Sequence, residues 1–159
     1  MSRKTTPTYV LLNQITLAAT SSTVTFSNIP QNYGDLVLVV NGAGTSGQGN
    51  NYLYFNGDTS TGNYSYVRIA NASSVSASNP SVSDVTTSFN NLVTVDIFDY
   101  SAFDKHKTRL SISSNPSSTI LAYASRWANT APVTSITFAA QNSGNWATNT
   151  SFYLYGVLA

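Results

Sequence analysis

The chain has 159 residues and a mass of 17.0 kDa, with 42% hydrophobic, 12% aromatic and only 8% charged residues, no cysteine, one histidine and a formal net charge of +1. That length suits one domain with a sizeable core, and the aromatic content excludes intrinsic disorder, which needs low hydrophobicity and high net charge. Without cysteine there are no disulfides or thiolate metal sites, the lone His106 leaves zinc without ligands, and 7 basic residues scattered among 6 aspartates make no phosphate-binding patch.

Serine, threonine, asparagine and glutamine take the place of ions, and glutamate is absent. A net charge near zero provides little like-charge repulsion, which favours association. The start, Met1 to Thr8, is a polar arm carrying Arg3 and Lys4 with no signal-peptide run behind it, and no stretch approaches a membrane-spanning length of apolar residues. The expectation is therefore no membrane, no nucleic acid and no cofactor.

Along the chain the apolar residues recur with period two. Tyr9 to Ala18 is the first predicted strand. In Thr23 to Ser27, Val24 and Phe26 fall on one side and the hydroxyls on the other, as a half-buried strand requires. Asp35 to Asn41 is a continuous apolar run rich in β-branched residues, predicting a central strand covered on both faces. The Gly-rich Asn41 to Asn51 is a connection, Asn51 to Phe55 a strand, and Asn56-Gly57 a tight turn built on positive φ angles. Tyr64 to Ala70 is a strand and the serine-rich Asn71 to Ser83 a connection. Asn91 to Phe98 and Lys107 to Ser113 are strands either side of a charged turn, with Leu110 and Ile112 forming the apolar side of the second. Ile120 to Trp127, Ser135 to Phe138 and Ser151 to Leu158 complete the set. No segment carries an apolar stripe at helical spacing.

The pattern predicts an all-β fold: a single antiparallel β-sandwich, jelly-roll-like, of about 8–10 strands over residues 9–159, with 1–8 as the arm. Sheet edges are usually blunted with charge, especially lysine, and this chain has only Lys4, Lys105 and Lys107. Edges covered by loops or by neighbouring subunits fit that scarcity.

Charge is densest from Asp96 to Arg109, around His106. A histidine base needs a carboxylate to orient it, here Asp104 or Asp99, but the ring is flanked by cations and no nucleophile motif is present, so a solvated turn is the simpler reading. Asp58 has no acidic neighbour in sequence for a calcium site and suits an Asx turn. The tyrosine pairs Tyr52/Tyr54 and Tyr153/Tyr155 each share a sheet face at strand spacing. They suit a core or subunit interface, with Trp127 and Trp146 as further candidates for stacking on sugar.

Several stretches bear a family likeness: Ile15-Thr16-Leu17-Ala18-Ala19, Ser22 to Pro30, Leu36-Val37-Leu38-Val39, Leu53 to Asp58, Val133 to Thr137 and Thr150 to Val157. Together these resemble small β-sandwich structural proteins of tailed bacteriophages, over most of the chain from Ile15 onward. The resemblance implies a non-enzymatic virion subunit, a homotrimer, of the head decoration or cement type. Such a protein is made in the host cytoplasm, sits on the outer capsid surface and clamps the major capsid protein. A tail or tail-fibre receptor-binding domain that takes a glycan is the alternative. An enzyme such as a glycan hydrolase ranks last, since it needs two facing carboxylates and Asp96 and Asp99 are too close in sequence to face one another. The contact residues expected for a capsid or a neighbouring subunit are Arg3 and Lys4 in the arm, and Asp104, Lys105, His106 and Lys107 in the charged turn.

Overall fold

A computed structural model describes residues 8–45, 50–70, 73–84, 91–115, 119–142 and 144–158. The strands are β1 (Tyr9–Thr16), β2 (Thr23–Phe26), β3 (Asp35–Gly42), β4 (Asn50–Phe55), β5 (Tyr64–Ala70), β6 (Ser73–Ala77), β7 (Ser81–Asp84), β8 (Asn91–Phe98), β9 (Lys107–Asn115), β10 (Thr119–Trp127), β11 (Ile136–Ala140) and β12 (Ser151–Val157). They form an eight-stranded sheet in the order β1-β12-β3-β8-β9-β10-β5-β6 and a four-stranded sheet in the order β2-β11-β4-β7, with every ladder antiparallel.

Four of the pairs are nested. β1 pairs with β12, β2 with β11, β3 with β8 and β4 with β7, the first and third in the large sheet and the second and fourth in the small one. A long hairpin rolled so that successive pairs alternate between two sheets is a jelly roll. The remaining hairpins, β5-β6 and β9-β10, are added along one side of the large sheet and double its width. The fold is the all-β sandwich expected, with strands beyond the 8–10 expected because β6 and β7 lie inside the segment read as a connection. Both are too polar to show an apolar period. β6 is an exposed serine-rich edge, and β7 is buried because hydroxyls and amides serve it, Asn51 Nδ2 donating to Ser83 Oγ (3.2 Å) and Ser111 Oγ to Val82 O (2.6 Å).

Between the sheets lie Leu36, Leu38, Val40, Val93, Val95 and Ile97 from the large sheet against Val24, Phe26, Leu53, Phe55, Ile136 and Phe138 from the small one. Trp146 stacks on Phe138 (5.1 Å) and meets Phe152 edge-on (5.3 Å), while Trp127 meets Phe55 at 5.5 Å. Both tryptophans are buried, which removes them as sugar platforms. Asn56 and Gly57 take positive φ (52° and 71°), and Asp58 N–H donates to Phe55 O (2.9 Å), so the tight turn forms as its residues require.

β3 departs from expectation. Its inner residues are closed off and the outward Val37 is itself buried, but the outward Val39 is only half-buried, so the strand is covered on both faces in part. Gly156 of β12 faces inward beneath the Tyr33 ring, where an added Cβ would lie 2.5 Å from a ring carbon. Gly156→Ala is expected to lower unfolding stability by about 1–3 kcal/mol through overpacking, read by urea or thermal denaturation.

Candidate functional site

The charged turn between β8 and β9 is held from beneath. Lys107 is fully buried, and its ammonium donates to Ala102 O (2.6 Å), Lys105 O (2.8 Å) and Thr130 O (3.0 Å). Three carbonyls satisfy the three donors of a lysine, so the charge is solvated by backbone in place of water. Lys107 therefore does not face a partner, in contrast to its place among the expected contacts, and the turn is a rigid structure and not merely a solvated one. Asp99, at φ 51°, donates its N–H to Asp35 Oδ1 (2.8 Å) and pairs with Lys105 (3.4 Å). Tyr100 anchors the turn to the neighbouring loops: its hydroxyl donates to Pro30 O, and its carbonyl accepts from Val133 N–H (2.8 Å).

This framework holds Phe103 out in solvent at 81% exposure, next to the exposed Asp104, Lys105 and His106. Among the described residues no hydrogen bond joins His106 to a carboxylate, and Asp99 is committed to Lys105, so the general-base arrangement does not form. Sequence reasoning missed Phe103. The missed signal was a bulky apolar residue inside a charged turn, which is costly to expose without a use. Arg3 and Lys4 lie outside the described residues.

Behind the turn, β9 runs opposite to its expected orientation. Lys107, Arg109, Ser111 and Ser113 point into the sandwich, whereas Leu110 (42% exposed) and Ile112 (53% exposed) point out. Arg109 crosses between the sheets, its Nε donating to Ser125 Oγ (3.0 Å) and its Nη1 to Leu53 O (2.7 Å). Its Cζ lies 5.3 Å from the ring centres of both Phe55 and Tyr64. Burial pulls its pKa down to about 10, and Tyr64 opposes the shift. Among the described residues no carboxylate pairs with it, and two π faces and a backbone carbonyl support the charge.

Tyr64 and Trp127 continue this cluster to Asp58. The Tyr64 hydroxyl accepts from Phe55 N–H (3.0 Å) and donates to Asp58 O (3.0 Å), and burial pushes its pKa up to about 12. The Asp58 carboxylate accepts from Trp127 Nε1 (2.8 Å), Asn63 Nδ2 (2.9 Å) and Ser60 N–H (3.0 Å), the last being the Asx turn expected. Burial raises the Asp58 pKa, but these hydrogen bonds together outweigh it and hold the group below its ordinary value. The carboxylate therefore adds stability above the ordinary aspartate range that is lost as pH falls through its lowered pKa. Asp58→Asn is expected to flatten the acid limb of a stability curve taken from about pH 7 to about pH 3, as measured by thermal melts.

The outer face of the large sheet is the second candidate surface. In register across it lie Tyr155, Val37, Asp96, Leu110, Ala124 and Val67, followed by a parallel row of Tyr153, Val39, Thr94, Ile112, Ala122 and Ile69. Tyr9, Tyr155, Val37, Val39, Thr94 and Asp96 line a hollow of about 450 Å³ in this face. Asp96 is the one charge in these two rows, and its pKa is raised by burial and then by Asp35. A groove of about 660 Å³ beside β6 includes Tyr66, Ser78, Arg109 and Arg126 in its lining; Arg109 Nε and Nη1 are taken up by Ser125 and Leu53, and its Nη2 has no hydrogen-bond partner among the described residues. Tyr52 and Tyr54, in edge contact at 5.9 Å, lie half-buried on the outer face of the small sheet.

No protein-family model and no curated protein matches this chain. Among solved structures, a protein of unknown function from Shewanella oneidensis MR-1 is 10% identical over 94% of this chain and 75% of its own, with a TM-score of 0.23.

Proposed function

We propose that this chain is a non-enzymatic structural subunit of a phage virion, a decoration or cement protein that attaches to the outside of the head and braces contacts between major capsid subunits. The observation that carries this reading is the locked turn: a buried lysine freezes a loop whose tip is a solvent-exposed phenylalanine flanked by Asp104, Lys105 and His106. A loop ordered in advance loses little conformational entropy on docking, and an aromatic anchor ringed by polar groups has the anatomy of a binding hot spot. The jelly roll supports the reading as a scaffold common among viral capsid proteins, although fold alone does not assign function. The resemblance of the Ile15 to Val157 segments to phage structural proteins points the same way. Many copies, each with a modest contact, would resist internal DNA pressure by multivalent attachment.

Phe103→Ser is expected to weaken attachment to heads lacking the protein by at least about tenfold without changing the thermal melt, as read by co-sedimentation with purified particles. Unaltered attachment, or absence of the chain from particles of an infected lysate, overturns the proposal.

A tail or fibre receptor-binding domain is the second reading, favoured by the Tyr52 and Tyr54 rings on the small sheet, which sugars can stack against. A few copies at the tail and glycan binding abolished by Tyr52→Ala would select it.

A further inference from the structure

The outer face of the large sheet has the chemistry of an interior. β9 buries its polar side and exposes Leu110 and Ile112, β5 exposes Val67 and Ile69, and β12 and β3 add the half-buried Tyr153, Tyr155 and Val39 around a buried Val37. A free monomer gains nothing from turning a strand's apolar side to water. Eight strands about 4.8 Å apart and four registered rows about 6.8 Å apart give on the order of 700 Å² per copy, near the roughly 800 Å² per partner of a stable interface.

We propose that this face is covered by the same face of a second copy, related by a two-fold axis that runs nearly along the strands between β8 and β9. The line between β8 and β9 is the midline of the eight-stranded order, so the rotation lays β8 over β9, β3 over β10, β12 over β5 and β1 over β6, leaving no strand unmatched. An axis along the strands preserves position along them, so registered rows meet themselves. Tyr155 and Tyr153 come over Val67 and Ile69 of the second copy, and Val37 and Val39 over its Ala124 and Ala122. Large side chains thus meet smaller ones twice over, as an isologous contact requires.

Charge agrees with size. Val157 pairs with Asp35, and the row passes through Thr108 to Arg126 on β10, so Asp35 of one copy comes over Arg126 of the other and the pair occurs twice. Aligned sheets pack about 10 Å apart at a strand angle near 30°, which places the axis about 15° from the strands. Asp96, over Leu110 of the second copy, is the one unmatched charge in the two central rows. The β8–β9 turns of both copies then lie at one tip of the dimer, so two Phe103 side chains are presented together. This last step alone rests on the attachment proposed above.

Sedimentation equilibrium of the full chain is expected to give twice the 17.0 kDa chain mass. Ala124→Arg, which places a charge in the middle of the face, is expected to give a folded monomer, as judged by an unchanged circular dichroism spectrum. Arg126→Asp is expected to weaken the dimer by about tenfold, and Arg126→Asp combined with Asp35→Arg to recover it. A monomeric wild type overturns the proposal and leaves the face to another protein. A trimeric mass overturns the two-fold, and a dimer unaffected by Ala124→Arg places the contact elsewhere. Phe103→Ser leaves the dimer intact, so loss of head attachment and loss of pairing are separate outcomes.

Discussion

A four-stranded sheet cannot cover an eight-stranded one, and most of what is unusual in this protein follows from that mismatch. Over β1, β12, β3 and β8 the two sheets close an aliphatic and aromatic core of ordinary character. Beyond β8 the small sheet closes on β9 and β10 through its polar edge strand β7, and the inner face there is filled by serines and by long side chains in place of aliphatic ones. The chain fills it with reach. Arg109 extends from β9 to the carbonyl of Leu53, Tyr64 from β5 to Asp58 and Phe55, and Tyr66 packs on Tyr123 in a separate small cluster. Long side chains with a polar end suit this position because they reach from one sheet to backbone carbonyls of the other and of the turn after it.

The same mismatch sets the polarity of β9. A strand at the border of the core needs inward groups that can bond to loops and edges, so lysine, arginine and serine serve better than leucine there. Its apolar residues are then left on the outer face. Burying the two cations is tolerable because each is paired with what lies nearby: three carbonyls for Lys107, and a carbonyl, a hydroxyl and two rings for Arg109. Among the described residues neither makes a salt bridge, although Asp104 and Asp99 favour the Lys107 charge from nearby, so neither adds the geometric demands of a buried ion pair. Lys107 thereby converts the loop above it from a solvated connection into part of the framework.

The strands with a clear apolar side were legible in the sequence. Thr23 to Ser27 carries Val24 and Phe26 inward and Asn91 to Phe98 carries Val93, Val95 and Ile97 inward, and the Asn56-Gly57 turn and the Asx role of Asp58 follow from local chemistry that tertiary packing does not override. β6 and β7 were not legible, because an edge strand of serines is held by ladder bonds and side-chain hydroxyls that leave no hydropathy period. The orientation of β9 was not legible either. Its alternation is unmistakable, but period two says only that the two sides differ, and the choice of inner side was made by the width of the sheet. The candidate contact turn was half legible: its charges marked the place, while the inward pull on Lys107 and the outward placement of Phe103 depend on carbonyls from two segments meeting below it.

The scarcity of charge noted first in the composition acquires a physical role at this point. Two flat apolar faces bind through area, and area discriminates poorly between partners. A surface dense in lysine and glutamate would solve that by repulsion, but this chain has no glutamate and nearly equal numbers of opposite charges. What remains for discrimination is the placement of a few ions: Asp35 and Arg126 at one end of the face, and Asp96 in its middle. Asp96 opposes any apolar partner by the desolvation that already raises its pKa, so a close fit elsewhere on the face must outweigh it before contact is favourable. A neutral, hydroxyl-rich surface around that face then keeps the association insensitive to salt, since the apolar contact that drives it is not screened. The sparse charges therefore act on specificity, and the sheet supplies the affinity.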